Sequence, residues 1–144
     1  MLNAELRTLL AADGTPVCNV SFDLSAQQLA ACARIVDAVK LARFRGGELS
    51  TDDVLRLQEI GAVSDELHRL ADHEAHGTVV LPLARFSTLH DALVEWTASL
   101  DARGWGRETE LEDRPLADGL IPPMASLREQ AVEAAVAGAV QSRS

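Results

Sequence analysis

Residues 18 to 24 alternate without a break. Cys18, Val20, Phe22 and Leu24 are apolar, while Asn19, Ser21 and Asp23 between them are polar. A period of two sustained over this length requires a strand with one face buried. Directly after it, Ser25 and Gln28 stand as an S-x-x-Q capping box, which satisfies two free amides at the start of a helix. Leu29, Cys32, Ala33, Val36 and Val39 then follow on one helical stripe, which Gly46-Gly47 closes. A chain that passes straight from a half-buried strand into an amphipathic helix belongs to a mixed α+β class.

The remainder is mainly helical. "TVVLPL", residues 78 to 83, is β-branched and apolar enough for a second strand, with Pro82 marking an edge or an end. Residues 3 to 12, "NAELRTLLAA", read as a short helix closed by Asp13-Gly14. "STDD" at 50 to 53 caps a longer helix whose stripe is Val54, Leu57, Ile60, Leu67 and Leu70, with Gly61 and Ser64 as points of bending or division. From Ser87, Leu89, Leu93, Trp96 and Leu100 make a regular stripe that ends near Gly104. The expectation is a mainly helical α+β fold of four or five helices packed with two short strands, at about 17–24 and 78–83. Two strands alone make a marginal sheet, so they must pair under a helical layer or be extended by a partner chain.

As a domain plan this gives a helical α+β core over 1–106, a connector over 107–123 and a C-terminal helix over 124–144, together one domain. "RETELEDRPLADG" holds five acids against two arginines and shows no helical stripe, and "IPPM" keeps the chain extended. Ser126 and Glu129 offer a capping box for the last helix. Its Val132, Val136 and Val140 recur every four residues among Ala131, Ala135 and Ala139, a narrow face suited to docking on the core or on another chain.

Charge bounds the partners. The formal net charge is −9, and Lys40 is the only lysine. Phosphate backbones and anionic membrane surfaces call for clustered cations, so nucleic acid and membranes are disfavoured. Three Phe, two Trp and no Tyr leave the core to Leu, Val, Ile and Ala. Cys18 and Cys32 lack C-x-x-C spacing and read as buried, reduced thiols. The first ten residues have no basic segment followed by an apolar run, so a soluble cytoplasmic protein is expected.

Three of the four histidines fall in "HRLADHEAHG", residues 68 to 77. His73 and His76 share a helical face and could supply two metal ligands, zinc being the obvious ion. A third would have to come from His90, Asp91 or Glu95. Against that, histidines in the last turn before Gly77 suit a helix C-terminus, where positive charge is favoured and free carbonyls need donors. The helix-end reading is preferred, and no cofactor is expected. Residues 50 to 81 also allow a winged helix-turn-helix, but 50 to 76 carry seven acids and two arginines, a formal −5 that repels phosphates. No nucleophile elbow or phosphate loop is present.

What remains is a small acidic protein that acts through protein–protein contacts, regulatory or adaptor in type, self-associating as a homodimer and not enzymatic. Val132, Val136 and Val140 are its candidate contact residues, with Trp105. Between Gly104 and Gly106, Trp105 fits a lid over the core first and an interface anchor second. The alternatives are the DNA-binding regulator over 50–81 and a metal-dependent enzyme or sensor built on the His68–His76 helix.

Overall fold

The fold was taken from a computed structural model, which describes residues 4–10, 12–14, 16–45, 49–73 and 77–143. The described elements run β1 (Ala4–Leu10), β2 (Pro16–Leu24), α1 (Ala26–Phe44), α2 (Thr51–His73), β3 (Gly77–Pro82), α3 (Leu83–Arg103) and α4 (Glu108–Arg143). The fold is α+β and mainly helical, as expected. Its sheet has three strands, not two, in the order β1-β2-β3 with both pairings antiparallel.

β2 lies at the centre, with Cys18, Val20, Phe22 and Leu24 all buried, so the period of two is the inner face of the sheet. β3 pairs with it within the same chain, setting Val79 opposite Phe22 and Leu81 opposite Val20. The extra strand is β1, where a helix was expected over 3–12. Ala and Leu favour helix intrinsically, but that preference is weak against a ladder. A left-handed Gly14 (φ 83°) lies in the connection to β2, and Leu6 faces the core opposite Val20. The third strand supplies what a two-stranded sheet lacks. The outer face carries polar groups, including the Glu5–Arg7 pair and a 2.6 Å hydrogen bond from Thr78 to Asp23.

α3 and α4 cover the inner face, α3 against β2 and β3 and α4 against β1 and β2. Phe86 of α3 meets Phe22 edge to face, with centroids 5.3 Å apart. Leu89, Leu93, Trp96 and Leu100 are buried along α3, and a left-handed Gly104 stops the helix. α3 opens at Leu83, four residues before the expected Ser87, because Pro82 ends β3 and no loop intervenes. α1 packs on α2, α3 and α4. Its capping box is made: the Gln28 amide donates to the Ser25 hydroxyl and the Ser25 amide to the Gln28 side chain. The Ser50–Asp53 pair caps α2 in the same way.

The connector expected over 107–123 is helical. α4 is one helix of 36 residues that includes Pro115, Pro122 and Pro123. Asp113, Ala117, Leu120, Met124, Leu127 and Ala131 are buried at alternating spacings of four and three, which is the seam of one helix face. Prolines and acids conceal that seam in the sequence. Each proline withholds one N–H and costs roughly 3 kcal/mol in a helix interior, and burial of the seam offsets it. Ser126 therefore lies inside α4 and caps no helix start.

Candidate interaction surface

Several of the side chains weighed for chemistry join helices. Asp37 of α1 accepts from the Ser64 hydroxyl at 2.5 Å and lies 2.7 Å from Nε2 of His68. Acyl transfer requires an imidazole between hydroxyl and carboxylate. Here the carboxylate stands between the other two, so Ser64 has no imidazole to take its proton. The set fastens α1 to α2. The supposed further ligands are engaged by arginines: Glu95 by Arg43, and both Asp91 and Nδ1 of His90 by Arg128. His76 and the side chain of His73 lie outside the described residues. Among the described residues no three His, Cys, Asp or Glu are grouped to hold a metal ion.

The helix-turn-helix alternative needs a break near Gly61, and α2 runs continuously from Thr51 to His73. Cys18 and Cys32 are free and buried. Burial, with the Asp113 carboxylate adding to it, pushes the Cys32 thiol up to about 12, so the reactive thiolate is suppressed.

Trp105 is no lid. It is 60% exposed, and the Arg103 guanidinium stacks 4.5 Å from the ring centre while its Nε donates to the Trp105 carbonyl. Val132 and Val136 are exposed, whereas Ala131 is buried and Ala135 packs against the core. The valines thus lie on the side of α4 away from the sheet. The side chain of Val140 lies outside the described residues.

A different region combines apolar exposure with unpaired charge. α1 and α2 are antiparallel, since Asp37 meets Ser64 and His68 while Lys40 lies over Gly61. The end of α1 and the start of α2 therefore form one corner of the molecule. Leu41, Phe44, Leu49, Val54 and Leu55 are all exposed there, Phe44 at 68%. Beside them an open groove of about 450 Å³ runs between α2 and α3, lined by Arg43, Leu55 and Arg56 and by Glu59 and Asp91, acids that pair with Arg85 and Arg128. Grouped apolar exposure of this kind marks contact surfaces, where single exposed apolar residues mark nothing.

The charges at this corner differ from the rest. Eight arginines, at 7, 34, 43, 69, 85, 103, 114 and 128, reach a carboxylate within ion-pair distance. Among the described residues, Lys40, Arg45, Arg56 and Arg107 reach none, and the first three belong to the corner. Elsewhere the pairing holds acids below the usual carboxylate range: Arg114 lowers Asp101, and Arg103 lowers Glu110. Asp53, one of the corner's three acids, is lowered chiefly by its hydrogen bonds to Ser50, because it caps α2, with Arg56 adding a smaller effect. Residues 40 to 56 carry four cations and three acids, a formal +1, which leaves −10 for the other 127 residues.

Sequence inspection missed this corner, because Leu41 and Phe44 look like the continuation of the α1 stripe. The only signal was their crowding with Lys40, Arg43 and Arg45 before Gly46-Gly47. Compared with known proteins, the chain matches no protein-family model, no curated protein and no solved structure.

Proposed function

We propose that this protein works through protein–protein contacts, as a small acidic regulatory or adaptor protein of the cytoplasm that also associates with itself, and that it is not an enzyme. One observation carries the reading: exposed apolar side chains and unpaired cations coincide at the α1–α2 corner. Phe44, Leu55, Lys40 and Arg56 contribute little to the monomer, where the apolar pair is in water and neither cation reaches a carboxylate within ion-pair distance among the described residues. Aromatic and arginine residues are also the side chains that most often dominate interfaces. The polar triplet on Asp37 supports the same reading, since its order serves helix packing.

Hydrogen exchange across a range of protein concentrations tests this. The amides of residues 41–45 and 49–57 should exchange more slowly as concentration rises, while those of the sheet stay constant. Exchange at the corner that is independent of concentration, together with a monomeric mass throughout, would contradict self-association.

A further inference from the structure

We propose that the end of α4 in one protomer docks on the α1–α2 corner of a second copy, and that the reciprocal contact closes a twofold dimer. The inference rests on the protein-contact reading above and names the occupant of the corner.

The α4 end carries the complementary chemistry. Glu129, Val132, Glu133 and Val136 are all exposed. At 3.6 residues per turn they fall within an arc of about 100°, roughly opposite Leu127 and Ala131, which face the core. The stripe thus presents two valines with two glutamates beside them. Neither glutamate pairs with a cation among the described residues. At the corner the pattern is inverted: Phe44 and Leu55 are exposed, and among the described residues Lys40, Arg45 and Arg56 reach no carboxylate within ion-pair distance.

Geometry favours a second copy over the chain's own corner. The stripe points away from the core that Leu127 and Ala131 hold, so folding back would strip α4 from the sheet. Arg128, one turn before Val132, is also fixed to His90 and Asp91 of α3. In the partner, the groove beside Leu55 takes the valines, and Arg56 on its wall, with Lys40 over Gly61 next to the lining Ile60, meets Glu129 and Glu133, about 6 Å apart along the helix. Each protomer owns one stripe and one corner, so two contacts related by a twofold close the assembly and leave no open end.

Complementation between two variants of the full chain tests the contact. Val132→Asp with Val136→Asp disables the stripe; Phe44→Asp with Leu55→Asp disables the corner. All four positions are exposed, and the melting of each variant confirms its fold. In sedimentation velocity, wild type should dimerise, and each variant alone should associate at least about 10-fold more weakly. An equimolar mixture should regain a heterodimer, because one intact stripe still meets one intact corner. As a second check, Glu129→Arg with Glu133→Arg should weaken association, and adding Lys40→Glu with Arg56→Glu in the same chain should restore it. If wild type dimerises but the mixture stays monomeric, the stripe-to-corner contact is overturned while the protein-contact reading stands. Wild type that is monomeric at every concentration overturns the contact and the self-association together. Corner-dependent binding to phosphatidylserine vesicles, unchanged in the stripe variant and without dimerisation, overturns it in favour of a lipid surface.

Discussion

The α3–α4 pair and the α1–α2 corner are made of similar residues used in opposite ways. Along the seam of α3 and α4 the large apolar side chains point inward, while Val94, Leu111, Val132 and Val136 are the exposed exceptions. Arginines there are spent on acids: Arg103 on Glu110, Arg114 on Asp101 and Asp118, and Arg128 on Asp91. At the corner, Phe44 and Leu55 face water, and among the described residues Lys40, Arg45 and Arg56 reach no carboxylate within ion-pair distance. A region whose interactions are already complete stabilises the monomer. A region with unsatisfied apolar surface and unsatisfied charge is what an external partner can complete. This contrast is the observation on which the proposed contact surface rests.

The sharpest way to break this comparison is to damage each side and ask what fails. Phe86→Ala should cost about 3–5 kcal/mol, because a fully buried ring that meets Phe22 leaves a cavity behind. Denaturant titration measures this, and a loss below about 1 kcal/mol would mean that α3 does not anchor the sheet. Leu120→Ala, in the seam between the prolines of α4, should cost about 2–5 kcal/mol. A negligible cost there would mean that the seam does not hold the helix to the sheet.

Smaller effects sharpen the picture. Asp113 is 5% exposed and holds Arg34 of α1 through two bonds of 2.7 and 2.9 Å. Asp113→Ala should cost about 1–3 kcal/mol, the lower end being favoured because the Arg34 side chain is half in water. Burial, reinforced by the Arg128 charge, lowers the pKa of His90 from 6.5. The folded protein thus binds a proton there less readily than the unfolded chain. This group's contribution is neutral well above pH 6.5, and stability falls as pH drops from 6.5 through the folded pKa. His90→Gln should flatten that fall, as read by denaturation at a series of pH values. An unchanged slope would assign it to other groups. At the small end, Arg69→Ala, which removes an exposed pair with Glu66, should change stability by no more than about 0.5 kcal/mol.

How much could be read in advance follows the physics of each segment. β2, the α1 capping box and the α3 stripe were legible because their signals are local: alternation, a cap and a stripe each lie within one element. β1 was not, since "AELRTLL" satisfies a helix as well as a strand and only pairing with β2 decides between them. The seam of α4 was obscured by Pro115, Pro122 and Pro123, which argue against a helix unless burial outweighs them. The face of Val132 and Val136 was open to docking on the core or on another chain, and both side chains are exposed; Trp105 was expected to cover the core and instead stacks with Arg103 in water. The corner was the least legible, because exposure at Phe44 and Leu55 is set by how α1, α2 and α3 pack together. No single element encodes that.

The central claim is that the corner serves contact and not folding. The most direct measurement compares Phe44→Ser with wild type in two readouts on the same sample, the thermal midpoint and the dissociation constant for self-association. The account predicts a midpoint within about 2 °C of wild type, the shift expected for a change well under 1 kcal/mol, with association weakened about 10-fold or more. A midpoint lowered by several degrees with association unchanged would contradict it, and would make Phe44 part of the fold.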